Sequence, residues 1–136
     1  MIEGHCFCGF VRFQADGPVS NQTLCHCSTC RRTSAAPAVA WLTVAKSRFR
    51  IISGEPSSFR SSARVTRSFC PRCGTPLSYA NDDADDEIDI TIGSLDAPEL
   101  MPPLDHSWVS AKLPWLKLCD GLPSYPEARA QAAPGD

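Results

Sequence analysis

The chain alternates short apolar runs with turn-forming residues, and it does so from one end almost to the other. Val11 and Phe13 fall on one face of a short strand that Asp16-Gly17-Pro18 ends as a turn. A second strand around Gln22-Thr23-Leu24 leads into Cys25. Ala38 to Val44 reads as a buried strand, and Arg48 to Ile52 as another, ended by Ser53-Gly54-Glu55-Pro56. Ser57 to Arg60, Thr66 to Phe69 and Leu77 to Tyr79 carry weaker strand patterns. The clearest alternation is Glu87-Ile88-Asp89-Ile90-Thr91-Ile92, with three isoleucines on one face. Helix is scarce: one turn capped by Ser28 or Thr29 and running through Arg32, and another across Leu95 to Leu100. Past Gly93 the period loosens, and from Ser124 onward the chain is small and polar. The pattern predicts a mainly β domain over residues 1–123 and a disordered tail over 124–136.

Composition sharpens this picture. Among 136 residues, 12 prolines and 8 glycines punctuate the apolar runs, which disfavours a helical bundle. The length suits one domain. A net charge of −2 gives no positive field for nucleic acid, and no apolar stretch is long enough for a membrane span. Met1-Ile2-Glu3-Gly4 has no basic or apolar leader character, so the expected location is cytoplasmic. In that compartment the 8 cysteines point to metal rather than disulfides.

The cysteines sort by spacing. Cys6 and Cys8 form a C-x-C pair, and Cys70 and Cys73 a C-x-x-C pair followed by glycine. Together they make a four-sulfur set, the ligand complement of a closed structural zinc site. Cys25, Cys27 and Cys30 form a separate C-x-C-x-x-C array, and Cys119 stands alone. Three protein ligands with a fourth position left for water or substrate are the pattern of a catalytic zinc. The spacing also allows a second closed site, completed by His5, His26, His106 or Cys119, or a Cys27–Cys30 redox pair. His26 is read as a histidine hydrogen-bonded to nearby backbone. Arg31 and Arg32, next to the array, are candidates for steering a substrate carboxylate or pairing with thiolate. Trp41, Trp108 and Trp115 are read as core or groove walls. Seven ligating thiolates and two Zn²⁺ would bring the net charge to about −5.

The sequence resembles the glutathione-dependent formaldehyde-activating family, also called the centromere-protein-V domain family. The resemblance rests on Gly4-His5-Cys6-Phe7-Cys8-Gly9 with Val11-Arg12-Phe13, on Cys25-His26-Cys27-Ser28-Thr29-Cys30-Arg31, and on Arg67-Ser68-Phe69-Cys70-Pro71-Arg72-Cys73-Gly74-Thr75. Gly93-Ser94-Leu95-Asp96, Leu113-Pro114-Trp115 and Asp120-Gly121-Leu122-Pro123 extend it. It implies a β-tent fold of small antiparallel sheets organised around zinc. It also implies two zinc ions per chain: a structural one on Cys6, Cys8, Cys70 and Cys73, and a catalytic-type one on Cys25, Cys27 and Cys30. The implied activity is that of a carbon–sulfur lyase acting on the adduct of glutathione, or a similar thiol, with a small aldehyde such as formaldehyde. Two other readings stand beside it: a thiol-binding carrier without turnover, and a zinc-stabilised interaction module. His5 and Cys119 depart from the family pattern, and His26 and His106 are the candidates for proton transfer.

Overall fold

The computed structural model describes residues 1–128. Its strands are β1 (Ile2–His5), β2 (Arg12–Ala15), β3 (Ser20–Cys25), β4 (Val39–Ala45), β5 (Phe49–Ser53), β6 (Ser57–Ser62), β7 (Val65–Phe69), β8 (Pro76–Asn81), β9 (Glu87–Thr91) and β10 (Asp105–Ser107). One α-helix, α1 (Ser28–Ser34), follows β3. The mainly β expectation holds. The strands sort into a three-stranded sheet, β1-β2-β5, and a seven-stranded one, β10-β3-β4-β9-β8-β7-β6. Every pairing between strands is antiparallel except β10 on β3.

The core lies between the two sheets. Leu42 pairs with Ile90 and Val44 with Ile88 across β4 and β9, and these four pack with Val11, Phe13 and Ala15 of the small sheet. Leu42 and Ile90 are wholly buried, each contributing about 1.5–3 kcal/mol. The isoleucine stripe is therefore core, although Ile92 sits one residue past the strand in a 3₁₀ turn. Alternation sends the intervening residues of β4 and β9 to the other face of the large sheet. There Trp41, Thr43 and Asp89 look away from the small sheet into a cavity. The small sheet is closed by Gly54 after β5, at φ +78°, where an added Cβ would run into the Phe10 carbonyl.

Two elements were not visible in the sequence pattern. β1 is four residues long and is recruited by β2. β10 is only three residues, fully buried, and pairs with β3 some eighty positions earlier. The tail expected from Ser124 is corrected in its first part. Ser124 bridges His106, Tyr125 donates its N–H to the His106 carbonyl at 2.9 Å, and Trp108 donates to the Glu127 carbonyl at 2.9 Å. β10 offers an unpaired edge at that point, and the chain returns to satisfy it. Residues 129–136 lie outside the described part. Among the described residues no helix is long and apolar enough to cross a membrane.

Candidate metal centres and cavity

Two groups of cysteines converge, and they are the two groups that spacing separated. Cys6 and Cys8 come from the β1–β2 turn, Cys70 and Cys73 from the β7–β8 turn. Each turn is a knuckle closed by a glycine in the left-handed region, Gly9 at φ +81° and Gly74 at φ +83°. The Gly9 and Gly74 N–H groups bond back to the Cys6 and Cys70 carbonyls at 3.1 and 2.8 Å. Backbone N–H groups are also aimed at sulfur, Val11 to Cys6 Sγ and Arg72 to Cys70 Sγ, both at 3.3 Å. Such donors favour the thiolate form. The Thr75 hydroxyl and N–H hold the Cys73 thiol down at about 5.

The sulfur spacing fits a metal ion. Cys6 Sγ lies 3.7 Å from Cys8 Sγ, which lies 3.8 Å from Cys70 Sγ. A tetrahedral ion with metal–sulfur bonds of about 2.3 Å needs sulfur–sulfur edges of about 3.8 Å. His5 and Cys119, the sequence candidates for completing the other, three-cysteine set, join neither group among the described residues. His5 turns to Asp96 instead, Nε2 to Oδ1 at 3.3 Å, and Cys119 is exposed.

The second group is built by the end of β3 and the start of α1. Cys25 is the last residue of β3, and Cys30 lies in the first turn of α1 as its one buried residue. The helix cap differs from the expectation of Ser28 or Thr29. Cys27 is the N-cap, and its sulfur accepts from the Cys30 N–H at 3.2 Å. A sulfur here does the work that a serine oxygen does at an ordinary N-cap. Hydrogen bonds from Cys25 and Cys30 hold the Cys27 thiol far below its usual range, at about 2, despite burial. The same pairing, led by Cys27, pushes Cys25 up. Within the cluster Cys27 is the thiol most readily ionised, and ionisation of all three needs a cation. Among the described residues no histidine or carboxylate joins these three sulfurs.

These three cysteines form part of the wall of a cavity of about 1000 Å³. Its floor is the outer face of the large sheet, where Thr43, Asp89, Tyr79 and Arg67 stand in register across β4, β9, β8 and β7. Arg67 is 6% exposed. Both of its Nη atoms point at Cys30 Sγ from 3.8 Å, and its Nε donates to Ser61 Oγ at 2.9 Å. Its guanidinium lies 5.1 Å from the Tyr79 ring centroid and 5.9 Å from that of Trp41, a cation–π setting for a charge shielded from water. Arg31 and Arg32, expected to steer a substrate, do not line this cavity; among the described residues Arg67 is the cation that does. The sequence signal for Arg67 was its place between Val65 and Phe69 on one face of β7, where alternation puts a charge on a buried row.

Asp89 is the second group that sequence reading passed over. Burial pushes its carboxyl up to about 6, while the Thr43 hydroxyl, donating at 2.6 Å, pulls the other way. Glu87 raises it further and Arg67 lowers it. A carboxyl with a raised folded pKa stabilises the fold below its unfolded value near 4, and that contribution is lost as pH rises through 6. Asp89→Asn is therefore expected to stabilise the protein by about 1–3 kcal/mol at pH 8. The gain should vanish toward pH 4, which thermal unfolding at the two pH values checks.

His26 and His106, the candidate proton-transfer residues, lie behind the cysteine loop and do not line the cavity. Both are buried. His26 Nε2 meets His106 Nδ1 at 3.0 Å, and His106 Nε2 meets Asp120 Oδ2 at 2.8 Å. The carboxylate takes the Nε2–H of His106, which leaves its Nδ1 to accept from His26 Nε2–H. Burial, with His106 and Lys112 nearby, keeps His26 below its usual pKa and hence neutral. The His26 N–H also donates to the Ser107 carbonyl at 3.0 Å. The ring itself makes no backbone hydrogen bond among the described residues, contrary to expectation: its Nε2 is taken by His106, and its Nδ1 is buried without a partner there. Trp41 is cavity wall and buried, Trp108 is half-exposed wall, and Trp115 is 67% exposed and lines no part of the cavity.

Comparison with known proteins places this architecture. The family described as glutathione-dependent formaldehyde-activating enzyme matches residues 1–111. A solved structure of a Rhodobacter sphaeroides protein is similar with a TM-score of 0.59 at 18% identity, over 90% of this chain and 98% of that chain. At that identity the likeness shows the fold. No curated protein matches the sequence.

Proposed function

This chain belongs to the glutathione-dependent formaldehyde-activating enzyme family, and from that premise we propose that it is a zinc-dependent carbon–sulfur lyase. Its substrate would be the adduct of a thiol, glutathione or a relative, with a small aldehyde, S-hydroxymethylglutathione being the simplest case. The observation that carries the reading is the difference between the two cysteine groups. Four sulfurs gather within 4.8 Å of one another and line no part of the cavity, whereas three form part of the cavity's wall. Zinc suits all-thiolate sets in both places, the four-sulfur one structural and the three-sulfur one reactive. Cys25, Cys27 and Cys30 would hold a zinc ion, which would supply a Lewis acid able to keep a guest thiol ionised.

The chemistry asked of the chain is modest. In the cleavage direction the hydroxyl proton of the hemithioacetal passes to solvent water, the O–H electron pair forms the carbonyl, and the carbon–sulfur pair departs with sulfur as thiolate. Arg67 stabilises negative charge gathered around Cys30, because its guanidinium lies against that sulfur in a site shielded from water. Trp41 and Tyr79 wall the reacting end and keep it apolar. The His26–His106–Asp120 chain holds the loop that carries two of the three sulfurs, as an outer layer of hydrogen bonds does in metal sites. Reduced thiols in the cytoplasm would be the source of substrate.

The test is the rate of adduct formation and cleavage, followed by NMR exchange, with zinc-loaded protein against the spontaneous reaction. Acceleration is expected, and Arg67→Met should lower it by about 10–100-fold. Thiol binding with no acceleration would instead identify a carrier.

A further inference from the structure

Within that lyase reading, we infer that Asp89 is a specificity-determining residue which receives a protonated amine at the far end of the thiol substrate. Asp89 lies on the cavity floor, in the middle of the large sheet, with Thr43 as its hydrogen-bond partner. Among the described residues it makes no ion pair, although a carboxylate drawn partly out of water calls for a counter-charge. Among the described residues the cavity wall carries one cation, Arg67, and it is already turned to Cys30 and Ser61. Glu87 lines the same cavity two residues along β9. The end of the cavity around Asp89 is thus negative, and the Arg67 end is positive.

The spacing matches a ligand rather than the bond being broken. Arg67, Tyr79 and Asp89 occupy successive strands in register, which sets Arg67 and Asp89 about 10 Å apart at their Cα atoms. Arg67 in turn touches the Cys30 sulfur. Asp89 thus stands two strands away from the residue that touches Cys30, on the far side of Tyr79 from the reacting sulfur. It is placed to meet a group about 10 Å away from it across the Tyr79 ring. A γ-glutamyl amine fits that span, since about 8 bonds of about 1.5 Å separate it from the thiol. The α-carboxylate on the same carbon as that amine turns away from Asp89 and Glu87, which would repel it.

The test is titration of the zinc-loaded full chain with glutathione and with N-acetylglutathione, by calorimetry. Wild-type protein is expected to bind the free amine about tenfold more tightly. Asp89→Asn should bring the two thiols to equal affinity by weakening glutathione alone, and Glu87→Gln should preserve most of the preference. Equal binding of both thiols by wild type overturns the inference while leaving the lyase reading intact, and needs no variant to fold. An undiminished preference in folded Asp89→Asn overturns it as well. Failure of both thiols to bind overturns the thiol reading and this inference together.

Discussion

Cys70→Ser is expected to leave the chain without a cooperative fold. Cys70 is wholly buried at the junction of the β1–β2 and β7–β8 turns, and its sulfur is 3.8 Å from that of Cys8. The residues it joins are more than sixty positions apart, so the cluster ties the small sheet to the large one. A serine oxygen would remain protonated and is a poor fourth ligand. A structural zinc site is worth about 10–16 kcal/mol in small metal-dependent domains, against a typical net stability of about 5–15 kcal/mol. Loss of that ion therefore consumes most or all of the stability. What remains is a set of thiols packed at van der Waals distance with no cation between them. Circular dichroism and thermal melting should show no sigmoidal transition. Chelation of wild-type protein should do the same, while Cys119→Ser should melt as wild type does. A Cys70→Ser protein that unfolds cooperatively near the wild-type temperature would show the cluster to be dispensable.

Cys27→Ser should do the opposite: keep the fold and abolish the reaction. Cys27 caps α1, and serine is among the best N-cap residues. The helix should therefore lose at most about 1 kcal/mol. The four-sulfur cluster is elsewhere and should keep its ion. What disappears is the thiol whose ionisation the hydrogen bonds with Cys25 and Cys30 favour. Metal analysis should fall from about two ions per chain to about one, with the catalysed rate at background and the melting temperature within a few degrees of wild type. Retention of both ions with wild-type turnover would remove Cys27 from the ligand set.

The metal centres were legible in the sequence because their signal is local. Thiol pairs at knuckle spacing, each followed by glycine, define half-sites before any tertiary contact forms. The core was legible where alternation is clean, as in Ile88 and Ile90. The cavity was not, because it depends on which face of each strand the rest of the chain covers. Arg31 and Arg32 adjoin the cysteines in sequence yet do not line the cavity, whereas Arg67 reaches Cys30 across 37 positions. Asp89 alternates with core isoleucines and so falls on the opposite face, and nothing in the strand's own pattern shows that this face lines a cavity. His106 had no periodic context to announce it. β10 is too short to carry a pattern, and its partner lies at the other end of the chain.

The central claim is that the three-cysteine site takes its fourth ligand from the substrate. X-ray absorption at the zinc edge measures this directly on fully loaded protein, with and without a saturating thiol. One four-sulfur and one three-sulfur site should give about 3.5 sulfurs per zinc alone and about 4 with thiol bound. A value of about 4 before the thiol is added, or no change on adding it, would mean that the protein saturates both ions itself.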